Sequence, residues 1–166
     1  MAIEIRDATP ADLHTVLAMN EAAVPNVNSL DAGQMQDLCD QAAYFRVAIA
    51  SNTGKVSAFL LGLTPDAQYQ SPNFLWFRRN YPSFAYIDRV AVAEDARRNG
   101  LASALYDDFE ASFSNRVPLL ACEVNLRPAN PGSMQFHRGR GFIQAGSQVI
   151  DNGAKEVAMM VKALVR

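Results

Sequence analysis

The stretch that decides the fold lies past the middle of the chain, where residues Val90–Leu105 read VAVAEDARRNGLASAL. A strand-like run leads into a basic loop containing Gly100, and a helical run follows. The N–H groups at a helix start have no intrahelical acceptors and attract anions, and Arg97 and Arg98 add positive charge. The stretch therefore predicts a phosphate or pyrophosphate site. Spacing alone also allows an ordinary turn with two solvated arginines.

Hydrophobic patterning on both sides of this stretch predicts a sheet with helices on its faces, an α/β (α+β) domain spanning residues 1–166. Residues 64–83 are predicted to be a long connection. Two antiparallel strand pairs are expected, one around Asn52-Thr53-Gly54 and one around Asp151-Asn152-Gly153. The predicted strands are 3–6, 44–50, 55–63, 84–93, 118–124, 142–150 and 155–164, and the predicted helices are one starting at Thr9-Pro10, 30–42, 101–113 and 133–138.

Composition limits the classes of protein that fit. The chain has 166 residues, 49% of them apolar and 19% charged, with a formal net charge of −2. These values suit one globular domain and argue against a disordered chain or a nucleic-acid-binding protein, which usually carries a basic surplus. The apolar runs are too short to span a membrane. No membrane or nucleic-acid partner is expected.

Cysteine usage and the N-terminal residues predict a reducing compartment. Cys39 and Cys122 lie in separate apolar stretches without a CxxC or His-rich neighbourhood, so neither a disulfide scaffold nor a zinc site is expected. The first seven residues have neither the basic nor the apolar region of a signal peptide. We therefore expect a cytoplasmic protein with reduced thiols and no metal.

A second motif gives the chain a family resemblance. Residues Asn130–Phe142 read NPGSMQFHRGRGF. Together with the first stretch, this sequence resembles the GNAT superfamily of N-acetyltransferases. The family's main motif, Val-x-x-x-x-Arg/Gln-x-x-Gly-x-Gly/Ala, matches in register, and so do its later Asn and Gly-Phe positions. The resemblance covers essentially the whole chain and implies a mixed, mostly antiparallel sheet flanked by helices. The residues in register are Val92, Arg97, Gly100, Ala102, Asn130, Gly141 and Phe142.

The resemblance implies acetyl-CoA as the cosubstrate, an amine as the acceptor and, as a family-based expectation, a homodimer. The N–H groups of the loop would hold the pyrophosphate, and the strand before it would pair with the pantetheine arm. The N–H of Val92 would polarise the thioester carbonyl. The expected cofactor-binding residues are Val90, Ala91, Val92, Arg97, Arg98, Asn99, Gly100, Leu101, Ala102, Ser103, Asn130 and Ser133.

Three side chains are candidates for proton transfer. His137 stands at the family's general-acid position, which is usually Tyr, and a structural role in the cofactor pocket is the alternative. Asp88 and Glu123 are candidate bases. Glu123 interrupts an apolar strand, so it must meet a cation, water or substrate, and a salt bridge to Arg89 or Arg127 is the alternative. A water-relayed base is also open.

The segment from Tyr69 to Tyr86 contains seven of the chain's aromatic residues, including its only Trp. It is predicted to form either a lid over the acceptor site or a small satellite core or dimer surface. Arg78 and Arg79 lie within it and could receive a carboxylate. The leading functional hypothesis is an N-acetyltransferase acting on a small molecule or a protein. Its alternatives are an acyl-CoA-binding regulatory or interaction domain with little catalysis, and a plain structural domain.

Overall fold

The structure is a computed structural model that describes residues 2–164. Within those residues, seven strands and five α-helices alternate along the chain. The strands are β1 (Ile3–Asp7), β2 (Tyr44–Ala50), β3 (Val56–Leu63), β4 (Ala85–Val92), β5 (Leu119–Arg127), β6 (Ile143–Ile150) and β7 (Lys155–Ala163). The α-helices are α1 (Leu13–Ala23), α2 (Ala32–Gln41), α3 (Pro72–Asn80), α4 (Leu101–Phe113) and α5 (Pro131–Gly139).

The strands form a mixed sheet in the order β1-β2-β3-β4-β5-β7-β6. The pairs β1–β2, β2–β3, β5–β7 and β6–β7 are antiparallel, and β4 runs parallel to β5. This mostly antiparallel sheet with flanking helices confirms the predicted fold class. The described residues divide into two compact units, the first of residues 2–63 and 87–113 and the second of residues 64–86 and 114–164. That residues 1–166 form a single domain stays a prediction.

The first unit is built on the β1–β2–β3 meander, with α1 packed against β3 and α4 against all three strands. Val47 lies opposite Phe59 in the β2–β3 ladder, and neither is exposed to solvent. The ring of Tyr44 meets Phe109 of α4 edge to face, with their centroids 4.9 Å apart. Burying these side chains supplies the main favourable free energy of this unit.

The second unit is built on the β5–β7–β6 ladder, on α3 and on the first residues of β4. Ala85 and Tyr86 of β4 lie opposite Leu120 and Ala121 of β5. The core contains an aromatic cluster, which we define as Phe74, Phe77, Phe84 and Tyr86. All four side chains are fully buried. This burial supports the satellite-core interpretation of the aromatic-rich segment.

The predicted connection over residues 64–83 is wrong in one respect, because it contains α3. Pro72 occupies a position at the start of this helix, where its missing N–H costs nothing. Ser71-Pro72 is a helix-start signal in the sequence. The prolines at 65 and 82 on either side of it favour a loop, which is why the sequence predicts a connection here. Tertiary packing completes the helix, since Phe74 and Phe77 lie in the core.

The other elements lie close to their predicted bounds. The first helical region begins with a 3₁₀ turn, Pro10–Asp12, before α1. Helix α2 begins two residues later than predicted because the Asp31 carboxylate accepts a hydrogen bond from the Gln34 N–H at 2.8 Å and caps the helix there. Both predicted antiparallel pairs, β2–β3 and β6–β7, are confirmed. Both cysteines carry free thiols. Each helix within residues 2–164 is too short or too polar to cross a bilayer.

Candidate functional site

The loop between β4 and α4 has the backbone that its sequence predicted. A 3₁₀ turn, Glu94–Ala96, follows the strand, and Arg98 and Gly100 then take left-handed φ values of 66° and 77°. The side-chain amide of Asn99 donates to the carbonyl of Ala96 at 3.2 Å and closes the loop. Residues 97–100 are exposed. The loop is thus folded tightly by its own contacts and still open to solvent.

Gly100 leaves the start of α4 without a side-chain cap. The first backbone hydrogen bond of the helix runs from the N–H of Ala104 to the carbonyl of Gly100 at 3.0 Å. The N–H groups of residues 101–103 therefore have no acceptor within the helix. An added Cβ at Gly100 would meet nothing within 4 Å, so glycine is needed here for its positive φ rather than for space. Backbone donors, the helix dipole and two exposed arginines together fit an anion such as a pyrophosphate.

Strand β4 carries the next three predicted cofactor residues in the first unit. Ala91 is buried, whereas Val90 and Val92 are half-buried. The N–H of Ala93 donates to the carbonyl of Ser57 at 2.8 Å and fixes the end of β4 beside β3. Residues Val90–Val92 therefore lie directly before the loop, and the strand holds these three residues in an extended conformation.

Asp88, also on β4, is part of a buried ion pair. Its carboxylate accepts a hydrogen bond from Arg89 Nε at 2.7 Å, and the two side chains are 3% and 2% exposed. The same guanidinium donates to the side chains of Asn20 and Asn28 at 2.9 and 2.8 Å. Arg89 therefore joins β4 to α1 and to the loop that follows α1. The geometry gives Asp88 a structural partner, and its candidate role as a base stays a prediction.

The second unit carries the residues of the second motif on α5. Asn130 is the N-cap of this helix, and its Oδ1 accepts a hydrogen bond from the Ser133 N–H at 3.3 Å. The Ser133 carbonyl in turn lies 2.7 Å from His137 Nδ1. Asn130, Ser133 and His137 therefore lie together on the first two turns of one helix.

His137 is buried, with 5% of its surface exposed, and its ring meets Phe136 and Phe142 edge to face. Because a carbonyl oxygen can only accept, the short contact with Ser133 assigns a proton to Nδ1. Burial lowers the pKa of His137 below its usual 6.5, and the charge of Arg140 acts in the same direction. The ring is therefore neutral at pH 7, with the Nε2 lone pair as an acceptor. The predicted general-acid role stays a prediction, one that this tautomer does not favour.

Glu123 on β5 has a neutral partner. Its Oε2 accepts a hydrogen bond from the Tyr86 hydroxyl at 2.6 Å. Of the two arginines suggested as alternative partners, Arg89 pairs with Asp88, and Arg127 pairs with Glu156 at 3.7 Å. A salt bridge from Glu123 to either arginine stays an open alternative. Glu123 is half-buried, and Tyr86 is fully buried.

Sequence reasoning did not single out Tyr86, whose hydroxyl contacts the candidate residue Glu123. A signal was present, because Tyr86 and Asp88 share one face of β4 by strand alternation. What the sequence lacked was the register with β5, which sets Tyr86 opposite Ala121, two residues before Glu123. Arg78 donates to the carbonyl of Ala67 at 3.2 Å, and the suggestion that it receives a carboxylate stays a prediction.

Comparison with known proteins identifies the family. The model of the acetyltransferase (GNAT) domain matches residues 75–163, more than half of the chain. This chain belongs to the GNAT acetyltransferase family. The resemblance predicted from the two motifs is thereby confirmed, and the protein is an acetyl-CoA-dependent N-acetyltransferase with an unassigned acceptor. A search of curated proteins finds no significant match.

Solved structures share the GNAT fold over the whole chain. Ard1 from Thermoplasma volcanium is 20% identical with a TM-score of 0.80, and the match covers 100% of both chains. The ribosomal-protein-S18-alanine N-acetyltransferase from Escherichia coli is 16% identical with a TM-score of 0.74, covering 99% of this chain and 96% of that one. NAA60 from Arabidopsis thaliana, solved with acetyl-CoA, is 13% identical with a TM-score of 0.74, covering 98% of each chain.

Proposed function

We propose that this GNAT protein transfers the acetyl group of acetyl-CoA to the primary amine of a protein or peptide N-terminus, and that it does so in the cytoplasm. The observation that carries the cosubstrate assignment is the uncapped start of α4 after Gly100, flanked by Arg97 and Arg98. The acceptor class is supported by the neighbours, since one acts on an alanine of a ribosomal protein and another was solved with a Gag peptide. The free thiols of both cysteines agree with a reducing compartment.

In this proposal two segments bind the cosubstrate: the end of β4 with the loop and helix start that follow it, and the start of α5. The backbone of Val90–Val92 pairs with the pantetheine arm, and the N–H groups of residues 97–103 bind the pyrophosphate. The Val92 N–H faces the thioester carbonyl and stabilises the oxyanion. On α5, Asn130 and Ser133 contact the thiol half of the cosubstrate. Asn130 Oδ1 caps its own helix, so its amide nitrogen is the group that reaches the ligand.

Glu123 is the general base in this proposal. The acceptor must attack as a neutral amine, so an N–H proton has to leave it. Glu123 accepts that proton as the new C–N bond forms and the C–S bond breaks, and the departing thiolate takes up a proton to give free CoA. Asp88 is the weaker candidate, because its carboxylate is neutralised by Arg89 and almost fully buried.

His137 shapes the helix that carries Asn130 rather than donating the proton to the thiolate. Its Nδ1–H binds the Ser133 carbonyl, and its lowered pKa keeps the ring neutral. Solvent then protonates the thiolate, whose own pKa near ~8.5 makes this step easy near neutral pH. His137→Ala tests this assignment. Truncating this buried ring lowers stability in either case, but a structural role predicts a kcat of the folded protein within a few-fold of wild type, whereas a general-acid role predicts a large loss of kcat.

The first experiment measures thermal unfolding with and without acetyl-CoA. Ligand at 100 times its dissociation constant stabilises the native state by about 2.7 kcal/mol. We expect this shift in wild type and its loss in Gly100→Trp. Gly153→Trp is the matched control, because Gly153 also has a positive φ, 91°, and open space around it, but lies in the β6–β7 turn. Loss of the shift in both variants would contradict the assignment of the loop.

The second experiment measures transfer. Peptides with a free N-terminal alanine, serine or methionine and their N-acetylated forms are incubated with acetyl-CoA, and thiol release is followed. Release that requires the free amine supports the proposal. Cosubstrate binding without release from any peptide would favour the alternative of an acyl-CoA-binding domain.

A further inference from the structure

We propose that Tyr86 is the positioning residue for Glu123, and that the aromatic cluster around α3 exists to hold the Tyr86 hydroxyl in place. This inference rests on the proposed function, in which Glu123 accepts the proton of the amine. It assigns a task to the aromatic-rich segment that neither the family motifs nor the acetyl-CoA residues include.

The hydrogen bond fixes one oxygen of the carboxylate. The Tyr86 hydroxyl donates to Glu123 Oε2 at 2.6 Å, within the range of a short, charge-assisted bond. The two residues come from neighbouring parallel strands, with Tyr86 opposite Ala121 and Glu123 two residues further along the same face. A glutamate side chain has three rotatable bonds, so without such a contact its oxygens would sample many directions.

The cluster fixes the phenol ring. Phe74 and Phe77 of α3 lie 5.5 and 5.7 Å from Tyr86, centroid to centroid, and Phe84 lies 6.1 Å from each of those two phenylalanines. All four rings are fully buried, so the Tyr86 ring cannot change rotamer without moving the core. The hydroxyl is therefore a rigid donor rather than an adaptable one.

The choice of a phenol as donor has a chemical consequence. Asp88 is held by a guanidinium in a buried ion pair, whereas the donor to Glu123 is an uncharged hydroxyl. Tyr86 therefore orients Glu123 through one directional O–H···O hydrogen bond. Preorganising a proton acceptor in this way lowers the entropic part of the barrier and affects turnover more than binding.

The test compares two variants that each remove one phenol–carboxylate hydrogen bond. Tyr86→Phe keeps the ring in the cluster and deletes only the hydroxyl. Tyr44→Phe is the matched control, because Tyr44 is also buried and its hydroxyl donates to Asp108 Oδ2 at 2.7 Å, in the first unit and outside the proposed machinery. Both are measured by chemical unfolding, by the thermal shift with acetyl-CoA, and by kcat and KM for the most active peptide.

We expect Tyr86→Phe to lower kcat about tenfold with KM for acetyl-CoA unchanged, and Tyr44→Phe to leave kcat unchanged. Equal kcat in wild type and Tyr86→Phe would overturn the inference while leaving the proposed function intact. Failure of the proposed function would show differently, as no transfer by wild type to any of the peptides.

A double-mutant cycle with Glu123→Gln separates positioning from a general structural effect. If Tyr86 acts through Glu123, then Tyr86→Phe has no further effect on kcat once Glu123 is Gln, so the double variant equals Glu123→Gln. If the two losses multiply instead, Tyr86 does not act through Glu123, and the inference is wrong.

Discussion

The two carboxylates first considered as bases, Asp88 on β4 and Glu123 on β5, have different partners. Asp88 shares a buried ion pair with Arg89, which also binds Asn20 and Asn28. Glu123 accepts one hydrogen bond from the neutral hydroxyl of Tyr86. Both are acidic residues within predicted strands, and sequence alone does not separate them. The two carboxylates thus differ in their printed partners, a buried guanidinium for Asp88 and a phenol hydroxyl for Glu123, and on this difference we base their proposed roles.

The largest expected effect is on stability and follows from removing Arg89, the cation that pairs with Asp88. Arg89→Met leaves the Asp88 carboxylate buried without its cation and removes the bonds to Asn20 and Asn28. Breaking a buried pair from one side costs about 3–5 kcal/mol. Urea unfolding of wild type and variant measures this loss. A change below about 1 kcal/mol would show that the ion pair does not hold β4 to α1.

The next effect concerns Glu123, the proposed general base. Glu123→Gln keeps the shape of the side chain but removes the proton acceptor, so we expect kcat to fall about a hundredfold with little change in stability. Asp88→Asn is the counterpart, expected to lower stability while the kcat of the folded protein stays within a few-fold of wild type. Steady-state kinetics together with unfolding curves distinguish the two. The opposite pattern would exchange the roles of Asp88 and Glu123.

A second ion pair, between Arg6 and Asp12, makes the stability of the protein depend on pH. Arg6 donates to Asp12 at 2.7 Å, and this hydrogen bond, the largest cause, lowers the pKa of Asp12 to about 2 from 3.8. Because the folded pKa lies below the unfolded one, the stabilisation is present above pH 4 and is lost as the pH falls toward 2. The difference corresponds to about 2 kcal/mol.

Unfolding free energies at pH 7 and pH 2.5 check this expectation, with Asp12→Asn as the variant that lacks the titrating group. Wild type should lose more stability than Asp12→Asn between these two pH values. An equal loss in both proteins would show that other carboxyl groups account for the acid sensitivity.

The smallest expected effect concerns the other phenol–carboxylate bond. Tyr44→Phe removes the hydrogen bond to Asp108, whose carboxylate keeps the 2.9 Å contact with Arg46. Because the acceptor stays partnered, we expect a loss of about 1 kcal/mol. A matching loss in Tyr86→Phe would show that the two bonds are equal for stability, so that any difference in kcat reports on Glu123. A loss above about 3 kcal/mol would show that Tyr44 also holds the packing against α4.

The sequence by itself determined the local elements and the family. Local sequence patterns placed β2, β3, α4, β6 and β7 within a residue or two. These patterns are strand-forming apolar runs bounded by turn residues for the strands and helical spacing of apolar residues for α4. It also determined the loop, because the left-handed φ of Gly100 is a property that few other residues supply. Signals of this kind depend on near neighbours in the chain.

The tertiary structure decided which side chains meet. Helix α3 was not predicted from the sequence, and its formation depends on the packing of Phe74 and Phe77 into a core. Tyr86 reaches Glu123, 37 residues away, through the register of two parallel strands, and Asp88 meets Arg89 in a buried ion pair. Strand register and burial arise from contacts between residues far apart in the chain, and they set the partner of each carboxylate.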